Sequence, residues 1–239
     1  MELTDWIERS IPEPVPDAPY PFPEECGESL VDITDRPRLY YGAKYAEMGL
    51  SGALRRCYVR QTVAHMLQNV LDSLPSAFSL WIYDTLRPVA VQKSIYDLYW
   101  HQLEAAHPEA DREQILRWMD DFVAYPRIDR QRPTPHSTGG AVDLTLCLHG
   151  EKLPMGTYFD DLTDRAHTRY YENRDDLSAQ ERRYRDNRRL LYHVMCGAGF
   201  VNYQNEWWHY AYGDRAWGHA TGRTPIYGYM ESPQNSKLD

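Results

Sequence analysis

The sequence predicts an α+β domain: a small, mainly antiparallel sheet with helices packed mostly on one face. Three observations carry the prediction. Segments with apolar residues at helical spacing lie on both sides of a short apolar run, Phe78 to Tyr83, which reads as a buried strand. From Ala141 to Leu148 the residues Val142, Leu144, Leu146 and Leu148 alternate with Ala141, Asp143, Thr145 and Cys147, the period-2 pattern of a strand with one apolar face. Near the C-terminus, a long polar helix gives way at Gly197 or Gly199 to two short strand-like pieces, 200–203 and 206–212.

The elements follow in order. Residues 1–38 form an N-terminal extension whose six prolines between Pro12 and Pro23 remove backbone donors and exclude a helix there. The rest, 39–239, reads as one domain. Residues 40–52 read as a loop with some strand. Val59, Val63, Met66, Leu67, Val70, Leu71 and Leu74 recur at the helical period, predicting a helix from Tyr58 to Leu74 that Pro75 ends. After the Phe78–Tyr83 strand, Asp84-Thr85-Leu86-Arg87-Pro88 opens another helix, with Pro88 suited to its first turn. Arg87 therefore sits at a strand-to-helix junction, where loops place functional groups. Asp111 with Gln114 and Ser178 with Glu181 make capping boxes for helices over 111–123 and 178–195. The first of these belongs to an insertion at about 105–130. The five arginines at 182, 183, 185, 188 and 189 read as a solvated face, and the last 25 or so residues as a polar surface tail.

The bulk numbers narrow the function. A chain of 239 residues that is 42% hydrophobic and 13% aromatic can bury a core. Its net charge of −9 argues against nucleic-acid or anionic-membrane partners, which require basic surfaces. No apolar run is long enough for a membrane span, and the N-terminus lacks a hydrophobic signal core. Cys26, Cys57, Cys147 and Cys196 are scattered, without the short spacings of zinc knuckles or redox pairs. The expectation is a cytoplasmic protein with reduced thiols; oligomeric state is not legible.

The chemistry concentrates in two places. In Pro133-Thr134-Pro135-His136-Ser137-Thr138-Gly139-Gly140-Ala141-Val142-Asp143 an imidazole and a carboxylate flank a glycine pair that can turn the chain and bring them together, half of a zinc site. Glu206-Trp207-Trp208-His209 offers the other half. Catalytic zinc commonly has three protein ligands and a nearby carboxylate as base. His136, Asp143 and His209 would be the ligands and Glu206 the base. In a regular strand Glu206 and His209 face opposite sides, so the hypothesis requires a bend between them, or Glu206 ahead of the strand. Other readings stand beside this one: a polar patch on an aromatic core for Glu206 and His209, and a structural ion pair with Asp84 for Arg87.

Taken together, these motifs resemble the zinc D,D-peptidases. His136-x-x-Gly139-x-Ala141-x-Asp143 and Glu206-x-x-His209 look like that superfamily's two metal motifs. Asp84 to Pro88, Pro154 to Asp160 and Asn187-Arg188-Arg189 extend the likeness in order across roughly residues 40–212, closest to the VanX-type D-alanyl-D-alanine dipeptidases. The resemblance implies one Zn2+ per chain on His136, Asp143 and His209, Glu206 as general base and Arg87 as oxyanion stabiliser. It further implies Asp160 and Tyr45 as binders of the amino group of a small D,D-dipeptide, with Thr134 also in the substrate site. Thr134 stands where the family has serine, and Glu47 to Gly52 is shorter than the family's segment and lacks its Asn-Phe. Two alternatives use the same zinc machinery: a peptidoglycan D,D-carboxypeptidase or endopeptidase, and a zinc-stabilised binding module like the hedgehog signalling domain, whose fold is similar.

Overall fold

Backbone pairing assembles the strands into two sheets. In a computed structural model, residues 3–16 and 19–230 are described. The main sheet has the order β2 (Leu39–Tyr41), β4 (Phe78–Asp84), β5 (Ala141–Leu148), β8 (His209–Ala211), β7 (Val201–Asn202), with β6 (Glu151–Lys152) turning back on β5. β2 runs parallel to β4, and the other pairs are antiparallel. A separate antiparallel pair joins β1 (Leu30–Asp32) to β3 (Tyr58–Arg60).

Seven α-helices complete the described chain: α1 (Leu3–Glu8), α2 (Lys44–Glu47), α3 (Gln61–Ser73), α4 (Val89–Ala106), α5 (Arg112–Phe122), α6 (Ala179–Gly197) and α7 (Arg215–Thr221). The core joins Leu80 and Ile82 of β4 and Leu144 and Leu146 of β5 to Leu67 and Leu71 of α3 and Leu191 and Met195 of α6. Both capping boxes form, Asp111 with Gln114 and Ser178 with Glu181, each satisfying two end groups of its helix.

The structure departs from the sequence reading at five places. Tyr58–Arg60 is strand, not the first turn of α3: β1 supplies hydrogen-bond partners that a local periodicity count does not see. The second face of β5 is not a solvated one, because burial extends over both faces from Ala141 to Cys147. Arg188 and Arg189 are buried, unlike the solvated face expected of the arginine cluster. Arg188 donates to the carbonyls of Met155, Arg165 and His167, and Arg189 is forked onto Glu172. Residues 215–230 are not a surface tail: they include α7, and Trp217 and Tyr227 are buried. The expected tail from 231 onward lies outside the described residues. Ahead of the proline run, α1 packs on α6, an element the reading of the extension does not contain.

The glycine pair before β5 works in two different ways. Gly139 has φ +71°, the left-handed region that side chains rarely adopt, and closes the short 3-10 turn Pro135–Thr138. Gly140 needs only room: a Cβ there would stand 2.4 Å from the Tyr212 carbonyl oxygen of the adjoining chain. The turn delivers His136 to the start of β5.

Candidate metal centre and substrate cavity

His136, Asp143 and His209 arrive from three directions. His136 comes from the 3-10 turn, Asp143 from the third residue of β5, and His209 from the first residue of β8, directly across the ladder from Asp143. His136 Nε2 lies 3.2 Å from His209 Nδ1 and 3.2 Å from Asp143 Oδ2, and His209 Nδ1 lies 2.9 Å from Asp143 Oδ1. All three side chains are buried, and among the described residues they form the one group of three or more such side chains placed to hold an ion.

The donor set fits a zinc ion. Ligands at about 2.0–2.1 Å in a tetrahedron stand about 3.3 Å apart, close to the separations found. His136 Nδ1 is 2.7 Å from the Thr85 carbonyl oxygen, to which it can only donate, so Nε2 presents its lone pair to the centre. Burial works to raise the Asp143 pKa, but the His136 and His209 imidazoles hold this carboxyl well below the usual range, so it is anionic. A carboxylate and an imidazole lone pair aimed at one buried point are satisfied by a divalent cation.

Glu206 reaches the same centre because the chain before β8 is a turn. Glu206 N donates to Tyr203 O, His209 N donates to Glu206 O, and Glu206 Oε2 lies 3.8 Å from His209 Nδ1. The residue precedes the strand, which resolves the facing problem. Burial, reinforced by Asp143 and Asp160, raises its pKa well above the ordinary carboxylate value. A carboxyl with raised proton affinity is suited to taking and giving up protons.

Arg87 is both paired and aimed at the centre. Nε donates to Asp84 at 2.7 Å and Nη1 to Gln92 at 2.8 Å, while Nη2 lies 3.4 Å from both Tyr45 Oη and Asp143 Oδ2. The ion pair with Asp84 and the approach to the ligand cluster therefore coexist. Burial disfavours its charge, but the Tyr45 hydroxyl and the Asp84 and Asp143 carboxylates more than offset this, and the guanidinium pKa stays raised.

Beyond Arg87 lies Asp160, with φ +63°, a conformation Asp tolerates better than most residues and one that recurs at functional positions. Its carboxylate lies 3.3 Å from Tyr45 Oη and accepts from Lys44 Nζ at 2.8 Å. Burial raises its pKa, with Lys44 and Arg87 pulling the other way. Tyr45, Arg87, Asp160 and Thr134 line a cavity of about 200 Å³ that also holds the three candidate ligands and Glu206.

The sequence does not flag several residues of this cavity. Tyr20 reaches it from the N-terminal extension, and Val123 and Ala124 from the segment after α5. The polar lining residues missed are Gln92, which accepts from Arg87, together with Tyr99, Asp120 and Tyr203. Lys44, which reaches Asp160 from outside this cavity, is missed as well. Lys44 had a signal in hand, since it adjoins Tyr45. Gln92 lies only five residues on from Arg87, whereas Tyr20, Val123 and Ala124 come from distant segments and have no local signature.

Three convergent ligand groups, an adjacent carboxylate and a facing guanidinium in a small cavity define a metallopeptidase-type site. The comparisons with known proteins agree: residues 44–226 match the peptidase M15 family model described as D-Ala-D-Ala dipeptidase, and the chain belongs to that family. A D-alanyl-D-alanine dipeptidase of Synechocystis sp. is 30% identical over 212 residues, 81% of this chain and 85% of that protein. One from Escherichia coli is 43% identical over 121 residues, covering 50% of this chain and 54% of that protein. One from Enterococcus faecium is 38% identical over 101 residues, 38% and 46% respectively. The last two alignments thus span about half of those relatives' length.

Proposed function

We propose that the chain is a zinc-dependent dipeptidase that hydrolyses the peptide bond of D-alanyl-D-alanine or a similar D,D-dipeptide. The single observation that carries the reading is the convergence of His136, Asp143 and His209 with the Glu206 carboxylate 3.8 Å from His209. The names of the relatives support the substrate class. Cys57 and Cys147, buried as free thiols, are in keeping with the cytoplasm as its compartment.

His136, Asp143 and His209 would hold the zinc, which when bound polarises the scissile carbonyl and lowers the pKa of a water from 15.7 to about 7. Glu206 accepts the proton of the attacking water and returns it to the leaving amine. Its burial beside two other carboxylates raises its affinity for the proton it takes from that water. Arg87, held from behind by Asp84 and Gln92, presents Nη2 to the charge that develops on the carbonyl oxygen. Asp160 and Tyr45 take the substrate ammonium, and Thr134 contacts the dipeptide within the same cavity. A peptide blocked at its amino end would leave the buried Asp160 carboxylate with one cation fewer, which selects for a free terminus.

The test is release of D-alanine from D-alanyl-D-alanine by purified protein of known metal content, run against L,L- and mixed-chirality dipeptides and a pentapeptide. Turnover confined to the pentapeptide would replace this reading with a carboxypeptidase. Stoichiometric zinc with no turnover on any of them would leave the binding-module reading.

A further inference from the structure

Asp160 faces two cavities. One is the substrate cavity. The other, of about 210 Å³, lies on its far side and is lined by Lys44, Met48, Leu98, Gln102 and Tyr158, with Tyr45 and Tyr99 shared between the two. Lys44 lines only the second, and from there its Nζ reaches Asp160 Oδ2 at 2.8 Å. The ammonium group also sits 4.4 Å from the Phe159 ring centroid, a cation–π contact. The Lys44 side chain is 34% exposed and the Asp160 side chain 15%. A protein cation therefore already occupies one oxygen of the carboxylate assigned to the substrate ammonium.

We propose that Lys44 is a specificity-determining residue of this subsite: a resident cation that shares Asp160 with the substrate ammonium and moderates the preference for a free over a blocked amino terminus. The inference rests on the dipeptidase reading above and deepens it. The reasoning is charge balance. With Lys44 in place, an entering ammonium meets a carboxylate already neutralised, and must either share it with a like charge or displace Lys44 into the second cavity. Both outcomes cost part of the attraction. An N-acylated peptide brings no cation, and it forfeits less at a carboxylate that Lys44 keeps paired than it would at an unpaired one. Removing Lys44 therefore raises the value of the free ammonium and penalises the blocked terminus, because Asp160 is then unpaired unless the substrate pairs it.

The experiment uses zinc-loaded full-length protein carrying Glu206→Gln, so that ligands bind without turnover, titrated calorimetrically with D-alanyl-D-alanine and with N-acetyl-D-alanyl-D-alanine. Lys44→Met, which keeps the aliphatic stem beside Phe159, should raise the ratio of the two dissociation constants about fivefold in favour of the free dipeptide. Lys44→Gln should move it the same way, and Lys44→Arg should leave it within about twofold. Melting curves establish which variants are folded. An unchanged or falling ratio in the folded neutral variants overturns the inference while leaving the dipeptidase reading intact. If the parent protein binds neither ligand, the dipeptidase reading fails and this inference falls with it.

Discussion

Asp84 and Asp143 stand opposite each other across the β4–β5 ladder, next to an irregularity in register between Ile82 and Asp84. Two carboxylates at a cross-strand position repel. Arg87 bridges them, with Nε on Asp84 and Nη2 toward Asp143, and the His136 ring lies beside both, with Nδ1 3.4 Å from Asp84 and Nε2 3.2 Å from Asp143. The pair thus gathers the guanidinium and one imidazole into a single unit behind the candidate metal centre.

Asp84→Asn removes the charge that holds Arg87 while leaving the candidate ligands themselves unaltered. The expected outcome is a fall in kcat of about 10–100-fold with zinc content unchanged, the usual cost of losing an outer partner of such a site. Steady-state kinetics with metal analysis on the same samples checks it. Loss of zinc would show that Asp84 acts chiefly through His136.

Glu206→Gln keeps the size of the side chain and removes its ability to take a proton. Turnover should drop by about 10²–10⁴-fold while zinc stays bound. Glu206 lies outside the ligand cluster, so loss of metal from this variant would contradict its assignment as the base.

The parts of this molecule that are legible in the sequence are those whose partners lie close along the chain. The capping boxes at Asp111 and Ser178 each need only a residue three positions on, and the Ala141–Leu148 strand shows in its own alternation. Glu206 and His209 are legible as a pair because three residues span a turn. The rest depends on distant segments. Tyr58–Arg60 becomes strand only because Leu30–Asp32 is there to pair with it, and Val59 satisfies either pattern. Arg188 can be buried only because three carbonyls of the 155–167 segment converge on its guanidinium. Charge-rich composition gives no hint of that.

Arg60 ties the segments around Glu25 and Gly228 to the turn that carries His136. Fully buried, it is forked onto Glu25 and also donates to the Thr138 carbonyl and, less closely, to that of Gly228. Arg60→Met would strand these acceptors. A loss of about 2–4 kcal/mol in unfolding free energy is expected, measurable by denaturant titration.

Glu25 makes the same clasp sensitive to acid. Burial works to raise its pKa from 4.5, but the hydrogen bonds from Arg60 and from the backbone N–H groups of Gly228 and Gly27 outweigh this, and the folded-state value is lowered. A carboxyl with a lowered folded pKa stabilises above its unfolded pKa and loses that contribution as pH falls through the folded one. Thermal stability should therefore decline below about pH 4.5, and Glu25→Gln should flatten part of that decline while lowering stability at neutral pH. Melting temperatures of both proteins from pH 3 to pH 7 decide the point.

Tyr20 carries the N-terminal extension to the substrate cavity. Arg215 of α7 anchors that stretch, donating to the Tyr20 carbonyl at 2.8 Å and the Pro21 carbonyl at 3.0 Å. The Tyr20 ring meets His219 edge-on at 4.8 Å, so the residue stands on the α7 side of the cavity, with Ala216 and His209. A wall there limits what can extend past the reacting bond on that side. Tyr20→Ala, or Arg215→Ala to release the anchor, should raise turnover of a D,D-tripeptide relative to the dipeptide several-fold, with zinc content unchanged. Because neither residue is a candidate ligand, base or oxyanion donor, a change confined to substrate length separates a steric wall from a general loss of activity. Equal effects on dipeptide and tripeptide would show that the extension supports the fold here without shaping selectivity.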